Sequence, residues 1–149
     1  MKILQITGFK NTGKTTLILK LVKRLKQQQQ KVAVIKHHHL EEEAGSTDTE
    51  RFLLEGADTT ILNTPSITIE TRKHPNLAEQ LAEFEGAMDV VLIEGYKHEA
   101  YPKIVLTYSF SDGHTNVSEI GMRNVLMEAD MRYDEAKVFQ WFDEWSSGI

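Results

Sequence analysis

Cysteine is absent from the 149-residue chain, so no disulfide, thiolate metal site or cysteine nucleophile can enter its chemistry. That absence suits a reducing compartment, and a cytoplasmic protein is the expectation. An excess of basic residues is missing too. With 17 Lys and Arg against 22 Asp and Glu, the formal net charge is −5. Binders of nucleic acid or anionic membrane need a basic face to displace counterions, so neither is expected as a partner. No stretch approaches the roughly 18 apolar residues of a membrane span, and the start MKILQITGF lacks the layout of a secretory signal. What remains is a chain with 40% hydrophobic residues, the size of one compact domain expected to cover 1–149.

The strongest local pattern is Gly8-Phe9-Lys10-Asn11-Thr12-Gly13-Lys14-Thr15-Thr16, which has the spacing G-x-x-x-x-G-K-T of a phosphate-binding loop. Two glycines let successive backbone N–H groups converge into a concave nest for phosphate oxygens. Gly8, Asn11, Thr12, Gly13, Lys14, Thr15 and Thr16 are therefore the candidate nucleotide-binding residues. Lys14 would reach the outer phosphates, and Thr15 would offer its hydroxyl to a magnesium ion bridging them. Thr16 either caps the helix or touches a phosphate further in. The flanks agree with the pattern. Lys2 to Thr7 is β-prone, and Ile18, Leu21, Val22 and Leu25 recur at the period of an amphipathic helix.

After Gln27 to Gln30, expected as a solvated helix end, Val32 to Lys36 forms a second apolar strand. Strand, loop, helix and strand within this span make a right-handed βαβ unit with parallel strands. His37-His38-His39 follows. Neighbouring residues on an extended chain point to opposite sides, so a polar loop is favoured over a metal site. Thr47 and Glu50 have capping-box spacing around Asp48. Asp48 either serves the helix dipole or orients a magnesium-bound or attacking water. Segments 59–62 and 66–71, joined by Asn63-Thr64-Pro65, predict a hairpin added to the parallel core, and Pro75-Asn76 starts another helix.

Val90-Val91-Leu92-Ile93 reads as a central strand with Glu94 at its carboxyl end, the place of an acid that holds magnesium directly or through water. The structural alternative is a glutamate that caps a neighbouring helix. Lys97 and Lys103 are candidates for contact with an anionic partner, and 102–106 predicts a strand. Val138, Trp141, Phe142 and Trp145 form a helical stripe expected to pack on the body and not to stack on bases.

Taken together, GFKNTGKTT at 8–16, IKH at 35–37, TDTERFLLEGA at 47–57 and VVLIEGYKHEAYPKI at 90–104 resemble the molybdopterin-guanine dinucleotide biosynthesis adaptor proteins, the MobB family. The resemblance implies an α/β protein of three layers, with the P-loop NTPase fold and a mainly parallel sheet carrying an antiparallel hairpin. It also implies a homodimer that binds GTP with Mg2+, hydrolyses it weakly and assists a guanylyltransferase in attaching GMP to molybdopterin. By position, Asp48 matches the acid of the family's G-K-D-S-x-R stretch and Glu94 that of its E-G motif. Both thus become candidates for catalysis and, with Thr15, for the metal. The family's Gly-Lys before that aspartate is Ser46-Thr47 here, and the carboxyl third matches poorly. No N-K-x-D motif follows, so the choice of GTP rests on the resemblance. Two other functions stay open on the sequence: a P-loop small-molecule or nucleoside kinase, and a non-enzymatic interaction module gated by nucleotide.

Overall fold

The computed structural model describes residues 1–38, 47–115 and 121–148. His39 and Ser46 lie outside these residues. In chain order the elements are β1 (Lys2–Gly8), α1 (Lys14–Gln27), β2 (Val32–Lys36), α2 (Asp48–Leu54), β3 (Thr59–Asn63), β4 (Thr68–Arg72) and α3 (Leu77–Phe84). There follow β5 (Val90–Glu94), β6 (Lys103–Leu106), β7 (Tyr108–Ser109), β8 (His114–Thr115), β9 (Val125–Ala129) and α4 (Glu135–Ser146). The chain divides into two compact units, Met1–His37 with Leu81–Ile149, and His38–Gln80.

The first unit is built on a five-stranded sheet of order β2-β5-β1-β6-β9 in which every pairing is parallel. Alternation of side chains along each strand sends Leu4 and Ile6 of β1, Val90 and Leu92 of β5, and Ile104 and Leu106 of β6 into one core. Leu17, Leu21 and Leu25 of α1 and Val138 and Phe142 of α4 complete it, all but Leu17 with no exposed surface. Trp141 and Trp145 pack against this cluster, as the stripe predicted, and stack on each other at 5.8 Å. Val91 and Ile93 are also fully buried, so β5 is covered on both faces, which explains its unbroken apolar run.

Polar bonds join the layers of this unit. Arg24 of α1 forms a bidentate pair with Asp143 of α4, at 2.9 and 2.5 Å, and its guanidinium lies 4.5 Å from the Phe139 ring. Lys2 donates to the Trp145 carbonyl. The glutamine end of α1 is not wholly solvated: Gln30 Nε2 donates to Ser146 O at 3.0 Å.

Lys103 departs from its expected role at the surface. Its side chain is fully buried, and Nζ donates to the carbonyls of Glu99 and Arg123 at 2.5 Å and of Tyr101 at 3.2 Å. Burial and the nearby Arg123 charge pull its pKa below that of an ordinary lysine, against an opposing pull from Glu99. Three carbonyls satisfy the three ammonium donors. The residue therefore ties the segment that enters β6 to the segment that enters β9 and is not available to an anion.

In the second unit, β3 and β4 pair as the predicted antiparallel hairpin, with Leu62 opposite Ile69. Thr64 closes its turn, the hydroxyl accepting from Ile67 N at 3.0 Å. The capping box of α2 is present: Glu50 N donates to Thr47 Oγ1 at 3.3 Å and Thr47 N to Glu50 Oε2 at 3.2 Å.

Candidate functional site

The carboxyl ends of β1, β2 and β5 lie side by side, because Ile6 and Lys36 are both in register with Glu94. The chain leaves β1 through a turn that begins at Gly8. There φ is +152°, and a Cβ would sit 2.7 Å from Leu106 O and 2.8 Å from Thr12 Oγ1, so only glycine fits. Thr12 is buried and donates to Phe9 O at 2.9 Å, which spends its hydroxyl on the shape of the loop. Lys14 Nζ lies across the loop, donating to Gly8 O at 2.9 Å and Phe9 O at 2.7 Å.

The loop opens on a cleft of about 630 Å3 lined on its own side by Asn11, Gly13, Lys14, Thr15 and Thr16. Across from it stand Glu94 and Lys36, with Lys10, Phe110 and Ser111 at the margin. Glu94 is nearly buried, and Thr15 Oγ1 donates to its Oε1 at 3.0 Å. Desolvation holds the Lys14 pKa below the ordinary lysine range, Glu94 pulls it up, and Lys36 pushes it further down. The ammonium groups of Lys10, Lys14 and Lys36 and the one carboxylate of Glu94 therefore line the same cleft, an arrangement that attracts a polyanion carrying a hard cation. Thr15 and Glu94 are oxygen donors already in contact. They fit Mg2+, which takes one or two protein oxygens and completes its shell with phosphate and water.

Behind Glu94 the chain turns sharply. Gly95 has φ +91°, and a Cβ there would lie 3.1 Å from His37 Cβ. Gln5, fully buried in β1, donates through Nε2 to Gly95 O at 2.8 Å and Tyr96 O at 2.5 Å, while the Tyr96 ring stacks on His37 at 4.3 Å. These contacts fix the strand end that carries Glu94.

The structure thus gathers Gly8, Asn11, Thr12, Gly13, Lys14, Thr15, Thr16 and Glu94 at one locus within the first unit. Asp48 belongs to the second unit, in the first turn of α2. Among the described residues no group of three His, Cys, Asp or Glu side chains is arranged to hold a metal, so His37 and His38 take part in none. Lys36, Gln5 and Phe110 were not singled out from the sequence. The strand-end pattern IKH carried a signal for Lys36, and a glutamine inside an apolar strand was a signal for Gln5.

The sequence profile of the family described as MobB, molybdopterin guanine dinucleotide synthesis protein B, matches residues 3–126. The chain belongs to the MobB family. It is 34% identical over 110 residues to a probable molybdopterin-guanine dinucleotide biosynthesis adapter protein of Bacillus subtilis, covering 70% of this chain and 64% of that protein. It is 36% identical over 113 residues to a putative adapter protein of the same name from Methanocaldococcus jannaschii, covering 71% of this chain and 47% of the relative. The matched part is therefore less than two thirds of either relative's length. Among solved structures, a MobB homolog from Bacillus stearothermophilus aligns over 100% of both chains with a TM-score of 0.68 at 23% identity. Bacillus subtilis MobB aligns over 94% of this chain and 97% of its own with a TM-score of 0.64 at 24% identity. At such identity these two likenesses establish the fold.

Proposed function

We propose that this MobB-family chain is a GTP-binding adaptor in molybdopterin-guanine dinucleotide biosynthesis, acting with a guanylyltransferase and hydrolysing GTP slowly in the presence of Mg2+. The observation that carries the proposal is the 3.0 Å contact between Thr15 and Glu94 at the mouth of the loop, beside Lys14 and Lys36. Backbone N–H groups of the nest would hold the β- and γ-phosphates, and Lys14 would exchange its two carbonyl partners for phosphate oxygens. A bound Mg2+ would supply charge neutralisation on the γ-phosphate. Glu94 would anchor that side of the site and orient water, and Asp48 is the second candidate for this task. In hydrolysis, the water oxygen bonds to the γ-phosphorus as the β–γ bridging bond breaks, giving GDP and phosphate. Positioning and charge account for catalysis of this kind, and one buried carboxylate suits a slow turnover.

Glu94→Gln and Asp48→Asn are expected to lower GTP hydrolysis by more than they lower GTP affinity. Steady-state phosphate release alongside calorimetry checks this, and variants whose hydrolysis falls only in step with affinity would contradict it. Nucleotide-dependent capture of the guanylyltransferase would support the adaptor role. Turnover that rises with an added small-molecule acceptor would favour a kinase instead.

A homodimer is part of the same proposal. Leu62 and Ile69, opposite each other on the hairpin, are 45% and 46% exposed, and Ile67, two positions before Ile69, is more so. Such a face is suited to a second copy of the chain. The double variant Leu62→Glu with Ile69→Glu is expected to sediment as a monomer while keeping its nucleotide affinity.

A further inference from the structure

The loop at 8–16 accounts for phosphates and the Thr15–Glu94 pair for a cation, yet neither offers a surface to a nucleobase, and the sequence has no N-K-x-D code. We infer that the exposed ring of Phe110 is the stacking platform for the nucleobase of a nucleotide whose phosphates occupy that loop. This assignment rests on the proposal that the cleft binds nucleotide.

The first ground is place. β6 neighbours β1 on the side opposite β5, so the segment after β6 flanks the loop across from Glu94. Ligands of open α/β sheets lie across these carboxyl ends. A nucleotide with its cation towards Glu94 therefore has its base towards Phe110, which lines the same cleft. The ring edge also borders the loop itself, since a Cβ on Gly13 would lie 3.9 Å from Phe110 Cε2.

The second ground is rigidity. Phe110 N donates to Asn11 O at 2.8 Å, tying the platform to the phosphate loop by a backbone bond. Buried Ser109 anchors the turn beneath it: its carbonyl accepts from Gly113 N at 2.8 Å and its hydroxyl from Asp112 N at 3.2 Å. Tyr108 meets the Phe110 ring at right angles with centroids 5.1 Å apart, and the Arg132 guanidinium sits 3.6 Å from the Tyr108 ring. Despite this support Phe110 is 55% exposed. A large aromatic ring held fast and left open beside a phosphate site has the chemistry of a base-stacking surface, where a π-face meets any base. Such a ring contributes affinity and does not by itself choose guanine.

The test compares GTP with inorganic tripolyphosphate, each with Mg2+, by calorimetric titration of the full chain. In the unsubstituted protein GTP is expected to bind more tightly than tripolyphosphate. Phe110→Ala should weaken GTP roughly ten- to a hundred-fold and leave tripolyphosphate unchanged, while Phe110→Trp keeps GTP affinity. Equal loss of both ligands in Phe110→Ala, or a GTP affinity that does not change, would overturn the platform and leave the phosphate site standing. Failure of both ligands to bind the unsubstituted protein would overturn the nucleotide site and the platform with it.

Discussion

The two compact units use their apolar residues in opposite ways. In the sheet unit, Leu4, Ile6, Leu21, Leu92, Ile104 and Phe142 have no exposed surface. In the unit of His38–Gln80, Phe52, Leu54, Ile61 and Ile67 are each more than half exposed, and among its described residues only Thr60 and Leu77 are buried. The sheet unit is stabilised by burial, which holds the loop, Lys36 and Glu94 in fixed register. The smaller unit relies on local bonds, namely the capping box of α2, the ladder between β3 and β4 and the Thr64 turn. A lone two-stranded hairpin is marginal in water, so this unit gains most from a further surface to cover it.

The contrast is broken most directly in the core. Phe142→Ala should cost about 3–5 kcal/mol by urea denaturation, the range for a large buried aromatic, whereas Phe52→Ala in the monomeric form should stay within about 0.5 kcal/mol. Similar losses at both sites would erase the distinction. Lys103→Met should cost about 2–4 kcal/mol, because three carbonyls lose their donor. It should also abolish a pH slope. The folded pKa of Lys103 lies below that of the unfolded chain, so the unfolded state holds the extra proton between the two values. The penalty for a buried charge is complete below the folded pKa, and stability rises with pH as it is relieved.

Thr47→Ala should cost about 1 kcal/mol locally, seen as faster amide exchange in α2 with α1 unchanged. If α1 responded equally, the two units would not be separate in stability. Asp143→Asn should cost only about 0.5 kcal/mol, since Arg24 and Asp143 are 34% and 41% exposed and solvent screens them. Arg24 holds the Asp143 carboxyl below its ordinary pKa. Its contribution is therefore present above the unfolded carboxylate value and is lost as the pH falls through the folded one. Acid titration of the variant should show that loss missing.

Much of the sheet unit was legible from sequence. The β1-loop-α1-β2 order follows from a motif whose glycines have one geometric purpose and whose flanks change period from strand to helix. The apolar run at 90–93 reads as a central strand, and β5 does pair with β1. β9 escaped notice because Val125 and Leu126 are partly exposed at a sheet edge, so no continuous apolar run marks it. Lys103 misled because a lysine after proline reads as surface. Nothing in local sequence shows that distant carbonyls, of Arg123 above all, converge on it. Phe110 stayed hidden for a related reason, since its place beside the loop comes from a backbone bond to the Asn11 carbonyl and from the bond of neighbouring Ser109 to the Lys10 carbonyl, each spanning 99 positions of chain.

The central claim is that the loop at 8–16 and Glu94 form one site for a magnesium nucleotide. Calorimetric titration of GTP into the intact chain and into Lys14→Ala, each with and without Mg2+, tests it most directly. Saturable binding that strengthens with Mg2+ and is largely lost in Lys14→Ala is the predicted result. An affinity indifferent to both Lys14 and Mg2+ would contradict it.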